Sequence, residues 1–359
     1  MIPYLEVLNK YSRKAFEIIE PSEFWGELSY YGVGEFEIYT KATNRALASL
    51  VLGNYIKIPN KPYIWLIEKV EKLTDADNGV MISATGREAK AILANRIISK
   101  QTQLATDLKT AVNALINNNA GATATADIRR IEGLVVEDSE VSQAIEETQV
   151  SYENLLSFTD ELLMAYECGA KLRIGSDKSL LYKIYKGKDK SATVIFSQMF
   201  DNLLSGNYSI DESNYRNFAY IGGQGEGSER VFDTVQAEEA GGIDRREVFI
   251  DAKDISAKYT DAAGEEKELD LTTTAGRNTY KGWLRERGKK DFAKYRREEA
   301  FNGDIDTKGS NKVFGIDYDL GDIVRVQDNR IGAYILPRVL KWTVNQTAST
   351  YEEKIQYGN

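Results

Sequence analysis

The chain has 359 residues, 42% apolar and 28% charged, and 55 acidic against 46 basic side chains leave a net charge of -9. Histidine is absent and Cys168 is the sole cysteine, which excludes Ser-His-Asp and Cys-His catalysis, histidine-ligated zinc, disulfides and thiolate metal clusters. The acidic balance disfavours general binding to duplex DNA, no apolar run reaches the roughly 18 residues of a membrane span, and Glu6, Lys10, Arg13 and Lys14 interrupt any secretory leader.

The first hundred residues read as short strands. Arg13 to Ile19 places Phe16 and Ile18 on one face, and Phe24, Leu28 and Tyr30 recur at even spacing. Glu35-Phe36-Glu37-Ile38-Tyr39-Thr40 alternates acid and apolar, as a half-buried antiparallel strand does. Tyr31-Gly32-Val33-Gly34 can turn between these strands. Tyr55 to Ile58, Tyr63 to Ile67 and Gly79 to Thr85 follow, the last two joined by turn residues 75–79 into a hairpin. Such a run suggests a small β-barrel or sandwich. Glu88 to Arg96 reads as a short helix with Ala89, Ile92 and Leu93 on one face.

The pattern then turns helical. Asp107 to Ile116 is a predicted helix, and Asn117 to Asp127 a low-complexity loop with nothing to pack. Ile131 to Val136 is a candidate strand. Tyr152 to Cys168 is the strongest helix, with Ser151 as N-cap, Gly169 as stop and Leu155, Phe158, Leu162 and Tyr166 along one face. Cys168 reads as a small buried side chain at its end. Strands resume at residues 170–174, 180–185, 192–196, 208–210, 217–221 and 229–235, with Gly-rich acidic loops at 222–227 and 238–242. Arg285 to Ala300 reads as a charged helix. Strands return from Phe301, at 322–326, 334–336, 339–344 and 351–357, with Leu340, Trp342 and Val344 on one side. The division is 1–100, a β-barrel-like domain; 101–200, mixed helical and β; and 201–359, β-rich with the charged helix near 281–300.

Four features invite a chemical reading. Gly222-Gly223-Gln224-Gly225-Glu226-Gly227 lacks the Lys-Ser or Lys-Thr of a phosphate loop and reads as a hairpin loop. Asp317-Tyr318-Asp319-Leu320-Gly321-Asp322 resembles the start of a calcium loop, but Gly321 stands at the fifth position and Asp328 at the twelfth. It reads as a tight turn, with Asp304 and Asp306 nearby and cation binding by Asp317, Asp319 and Asp322 left open. Lys281 to Arg297 is basic, either a solvated helix face with Trp283, Phe292 and Tyr295 inward, or a contact to nucleic acid or an acidic subunit. The 21 tyrosines hint at interfaces. No carboxylate pair stands out as a glycosidase pair, and the expected catalytic, cofactor and metal sites are none.

Four stretches resemble the siphophage tail protein family that forms the tail-tip or baseplate hub: Gly34 to Ile38; Tyr63 to Glu68 with Ser83 to Glu88 and Ile92 to Arg96; Phe301 to Ile305; and Tyr318 to Val324 with Arg338 to Leu340. The resemblance covers the first hundred residues and the last sixty or so, and none of its motifs is catalytic. It implies an α+β, mainly β fold similar to the trimeric hub of contractile phage tails, with two antiparallel β-barrel-like domains around a mixed middle. In that setting Gly321 permits a turn and Asp322 accepts backbone N–H bonds at a strand start. The implied role is a non-enzymatic virion subunit of the tail tip or baseplate, assembled in the bacterial host cytoplasm. It forms a homotrimeric ring, docks the tail tube or distal tail protein and other tip or fibre proteins, and lets DNA pass. Longer relatives carry a peptidase, lysozyme or fibre extension; the end at Asn359 predicts that wall-degrading activity sits on another chain. The alternatives are a carboxylate-dependent wall hydrolase, and a carbohydrate- or receptor-binding module, which exposed Trp25, Trp65 or Trp342 would favour.

Overall fold

The computed structural model describes residues 4–75, 79–261, 264–305, 312–330, 332–347 and 349–358. The N-terminal part folds as β1 (Leu5–Leu8), β2 (Ala15–Ile19), β3 (Glu23–Ser29), β4 (Glu35–Lys41), helix α1 (Asn44–Ser49), β5 (Tyr55–Lys57), β6 (Ile64–Asp75) and β7 (Gly79–Glu88). The middle carries the 3-10 helix Ala89–Asn95, β8 (Thr102–Gln103), α2 (Leu108–Asn119), β9 (Leu134–Val136), β10 (Gln149–Val150), α3 (Leu155–Ala165), β11 (Gly169–Ile174) and β12 (Leu180–Tyr185). There follow β13 (Ile195–Ser197), β14 (Leu203–Asp211), β15 (Phe218–Gly222), β16 (Phe232–Gln236), β17 (Glu247–Asp251), β18 (Lys258–Thr260), β19 (Glu266–Glu268) and α4 (Thr274–Phe292). The chain closes with β20 (Glu298–Ile305), β21 (Arg325–Asp328), β22 (Ala333–Ile335), β23 (Arg338–Gln346) and β24 (Tyr351–Gly358).

The class is mainly β and antiparallel, as the sequence implied, and its two β-rich ends share one sheet. Eleven strands run in the order β14-β20-β24-β23-β3-β4-β7-β6-β5-β1-β2. The seam is β23 on β3, with Trp342 opposite Leu28 and Gln346 opposite Phe24. Alternation decides which face is inside: in β4, Glu35 and Glu37 face out while Phe36 and Ile38 are buried. The β6–β7 hairpin is there, running from Trp65 opposite Glu88 to Asp75 opposite Gly79, and its turn residues 76–78 lie outside the described ones. A register shift between Ile67 and Lys69 brings the β6 backbone close to Gly86, where a Cβ would overlap the Leu66 carbonyl oxygen.

Three apolar cores organise the chain. The first lies on the large sheet and mixes both ends, with Phe24, Trp65, Phe301, Trp342 and Tyr357. The Phe314 ring stacks 5.0 Å from Trp342 and 5.8 Å from Tyr63. The second packs α2 and α3 against the 3-10 helix and the sheet β11-β12-β9. The third seats Tyr280, Trp283 and Leu284 of α4 on Ala219, Ile221 and Ile250 of the sheet β16-β15-β17.

Several local expectations are corrected. Phe16 and Ile18 share a face, but that face of β2 is open to solvent. The helix expected over Glu88 to Arg96 is the 3-10 helix Ala89–Asn95, with Ala89, Lys90, Ala91 and Leu93 buried. The stretch 117–127 is not idle, since α2 runs to Asn119, whose side chain bonds the Leu115 carbonyl at 2.9 Å and the Ser99 amide at 3.3 Å. Asn154, not Ser151, caps α3, because its carboxamide accepts from Leu156 and Ser157. The stop is Glu167 at φ +56, and Gly169 already belongs to β11. The charged helix begins at Thr274, capped by Thr273, and residues 298–305 are strand. Leu340 occupies a bulge between Val339 and Lys341, so it leaves the row of Trp342 and Val344.

Candidate functional site

The Leu320-Gly321-Asp322 turn is a junction between the sheet and the middle region. Gly321 has φ +85, and a Cβ there would overlap the Tyr30 ring at the end of β3. The Tyr30 hydroxyl donates to the Glu167 carbonyl at 2.9 Å, and Arg338 Nη1 donates to the Gly321 carbonyl at 2.6 Å. Asp322 accepts from the Lys188 amide at 2.8 Å and the Asp319 amide at 3.0 Å, with Lys190 Nζ at 3.3 Å. The turn and its amide-accepting aspartate are thus as the sequence implied, and the accepted amides include one from the middle region.

The same turn walls a cleft of about 490 Å³ lined by Lys171, Lys183, Lys186, Lys188 and Lys190 with Asp319 and Asp322. Lys171 pairs with Asp319 at 3.4 Å and Lys186 with Glu167 at 3.5 Å. Asp319 also accepts from the Leu320 amide at 2.7 Å and from the Tyr63 hydroxyl, whose ionisation burial and that carboxylate push well up. Asp317 accepts from the Val313 amide at 2.7 Å. Amides and ammonium groups therefore hold these carboxylates, and among the described residues no group of three acids is gathered as metal ligands. Asp304 lies on β20 against Lys354 at 3.0 Å, and Asp306 is outside the described residues. In the cleft, Lys171 and Lys190 are paired with the chain's own Asp319 and Asp322.

The basic helix faces the chain's own middle region. Lys290, 3% exposed, reaches Glu161 and Asp291 at 2.9 Å and lies 4.9 Å from the Phe158 ring centre. Arg285 meets Glu146 at 2.8 Å and Asp233 at 2.9 Å, Lys294 meets Glu161 at 2.8 Å, and Arg287 meets Asp254 and Asp291 at 2.7 Å. The basic side chains meet acids of the chain itself, and Arg285, Lys294 and Arg297 keep 40%, 46% and 49% of their side chains exposed, so the solvated face read from sequence holds in part. Trp283, Phe292 and Tyr295 do pack inward. Buried Glu286 accepts from the Tyr166 hydroxyl at 2.6 Å and the Glu146 amide at 3.1 Å, and burial raises its carboxyl.

The glycine loop is filled by its own Arg230, which donates to the Gly222 and Gly223 carbonyls at 2.9 Å. Trp65 and Trp342 are buried, and Trp25 is partly open on the outer sheet face. Burial pushes the Cys168 thiol up, as fits its packed position.

Two groups of residues escaped sequence reasoning. Among the described residues the sheet ends in two strands with no further strand partner, β2 with Phe16 and Ile18 exposed and β14 with Leu204 and Ile210 exposed. Exposed apolar residues flanking a terminal strand were the available signal. The other group surrounds Glu88, which accepts from the Gly34 amide at 2.6 Å and the Ser29 amide at 3.3 Å. Burial pushes its carboxyl up to about 7, against the pull of Lys90. A single lysine inside Ala89-Lys90-Ala91-Ile92-Leu93-Ala94 was the signal there.

A profile of the Siphovirus ReqiPepy6 Gp37-like protein family matches residues 5–358. No curated protein sequence matches the chain. Among solved structures, the tail protein from Neisseria meningitidis MC58 superposes with TM-score 0.59 at 11% identity, over 99% of this chain and 96% of that one. The 43 kDa tail protein of prophage MuSo2 from Shewanella oneidensis gives 0.58 at 12%, over 99% and 98%. Prophage tail protein gp18 from Listeria monocytogenes EGD-e gives 0.54 at 14%, over 99% and 94%. At such identities the likeness is one of fold.

Proposed function

We infer that this chain, which belongs to the Siphovirus ReqiPepy6 Gp37-like protein family and has the fold of phage tail proteins, is a structural subunit of the tail tip or baseplate hub. Its mechanism is assembly, and no step of it calls for catalysis. The observation that carries the reading is the eleven-stranded sheet, whose two end strands have no further strand partner among the described residues. An open strand edge is a template for another chain, and a head-to-tail contact closes into a ring when its rotation allows. The β2 edge offers Phe16 and Ile18 and the β14 edge offers Leu204 and Ile210, so copies can meet edge to edge.

The proposed ring is a homotrimer in the virion, docked to the tail tube or distal tail protein above and to fibre or other tip proteins below, with DNA passing through. The units 1–100, 101–200 and 201–359 are proposed as first tube unit, outer middle unit and second tube unit. The test is electron microscopy and light scattering of the chain co-produced with its tail-tube partner. A threefold ring is expected, and Ile18→Lys should shift the population to single subunits. A wild-type chain that stays single beside its tail partner counts against the reading.

A further inference from the structure

Lys90 is a deeply buried primary amine whose ion pairing among the described residues is limited to one carboxylate. It lies on the 3-10 turn after β7, is 2% exposed, and its Nζ has no hydrogen-bond acceptor within reach. An ammonium has three donors to satisfy, and leaving them unmet in an apolar site costs several kcal/mol, roughly. Its ion-pair partner is Asp160 Oδ2 of α3, at 3.6 Å, on a side chain 12% exposed. The two elements that carry the pair, the 3-10 turn and α3, supply Ala89, Leu93, Leu156 and Leu163 to the second core. Glu88, whose charge couples to both Lys90 and Asp160, completes the cluster.

We propose that Lys90 and Asp160 condense into an intramolecular isopeptide bond. The unprotonated Nζ attacks the Asp160 carboxyl carbon. A C–N bond forms, the C–OH bond breaks, and the amine proton leaves with that hydroxyl as one water molecule. No oxidant, reductant or co-reactant is needed. Burial raises the Asp160 carboxyl toward its protonated state, and Glu88 stands beside both groups. Burial also holds amine and carboxyl in contact, which replaces a bimolecular encounter by a unimolecular one. The product is a neutral amide in place of two buried charges. It ties the end of β7 covalently to α3, and so the large sheet to the middle region.

The test is the intact mass of the full-length chain under denaturing conditions. The expected result is a mass one water below that of the sequence, with trypsin failing to cut after Lys90 and a branched peptide joining Lys90 to Asp160. Lys90→Arg should restore the full mass. Because removing one partner of a buried pair can unfold the chain, Asp160→Asn is the second variant. Its carboxamide reacts with the same amine and releases ammonia, so the deficit should change from water to ammonia. A wild-type chain at full sequence mass overturns the proposal, as does a water deficit that Asp160→Asn leaves unchanged.

Discussion

Gly321 and Glu88 each tie a loop to the sheet, by different physics. At Gly321 the backbone is left-handed and the Tyr30 ring lies where a side chain would start. Gly321→Ala combines the left-handed penalty with overpacking, so a loss of about 2–4 kcal/mol is expected in urea unfolding. Glu88 acts through charge. Its folded-state pKa of about 7 lies above the ordinary 4.5, so the folded chain holds this proton more tightly. The contribution to stability is therefore fully present below about pH 4.5 and is lost as pH rises through 7. Glu88→Gln keeps an acceptor for the Gly34 amide and cannot ionise. Its stability relative to wild type should grow between pH 5 and pH 8, by on the order of 3 kcal/mol, in paired thermal melts.

At the scale of elements, α4 is a charged helix stabilised by acids from α3, from the segment before it, and by Asp233 and Asp254. Glu161 serves both Lys290 and Lys294. Glu161→Ala leaves Lys290 buried with fewer countercharges, and a loss of roughly 1–3 kcal/mol is expected by chemical denaturation, less at the surface pair than at the buried one. Legibility varied between elements for the same kind of reason. Strand β4 was readable because its own alternation fixes its faces. The first turns of α4, Thr274-Ala275-Gly276-Arg277-Asn278, carry no apolar stripe and are largely exposed, and the Thr273 hydroxyl starts them by accepting from the Gly276 amide at 3.1 Å. Strand β17 was missed because Val248-Phe249-Ile250 is an unbroken apolar run, although only Val248 and Ile250 turn inward and Phe249 is exposed. The turn at Gly321 was legible from glycine and aspartate chemistry. The Lys90–Asp160 contact was not, since nothing local in either segment points to the other.

At the scale of the molecule, the large sheet has a sheltered centre and two bare margins. Amides of β3, β4 and β23 should exchange slowest with deuterium, and those of β2 and β14 should exchange fast in the single subunit and slowly once it is assembled. Equal protection of β2 and β14 in both states would remove the edges from the contact. The seam of β23 on β3 has a further consequence, for synthesis on the ribosome. When β3 and β4 emerge, the strand that will cover the other side of β3 has not been translated, and Phe24 finds its neighbour only when Gln346 is out of the exit tunnel. Until then the nascent chain presents a naked β3 margin, a hazard for clumping. Premature stop codons ahead of β23 should accordingly yield inclusion bodies rather than a soluble N-terminal fragment.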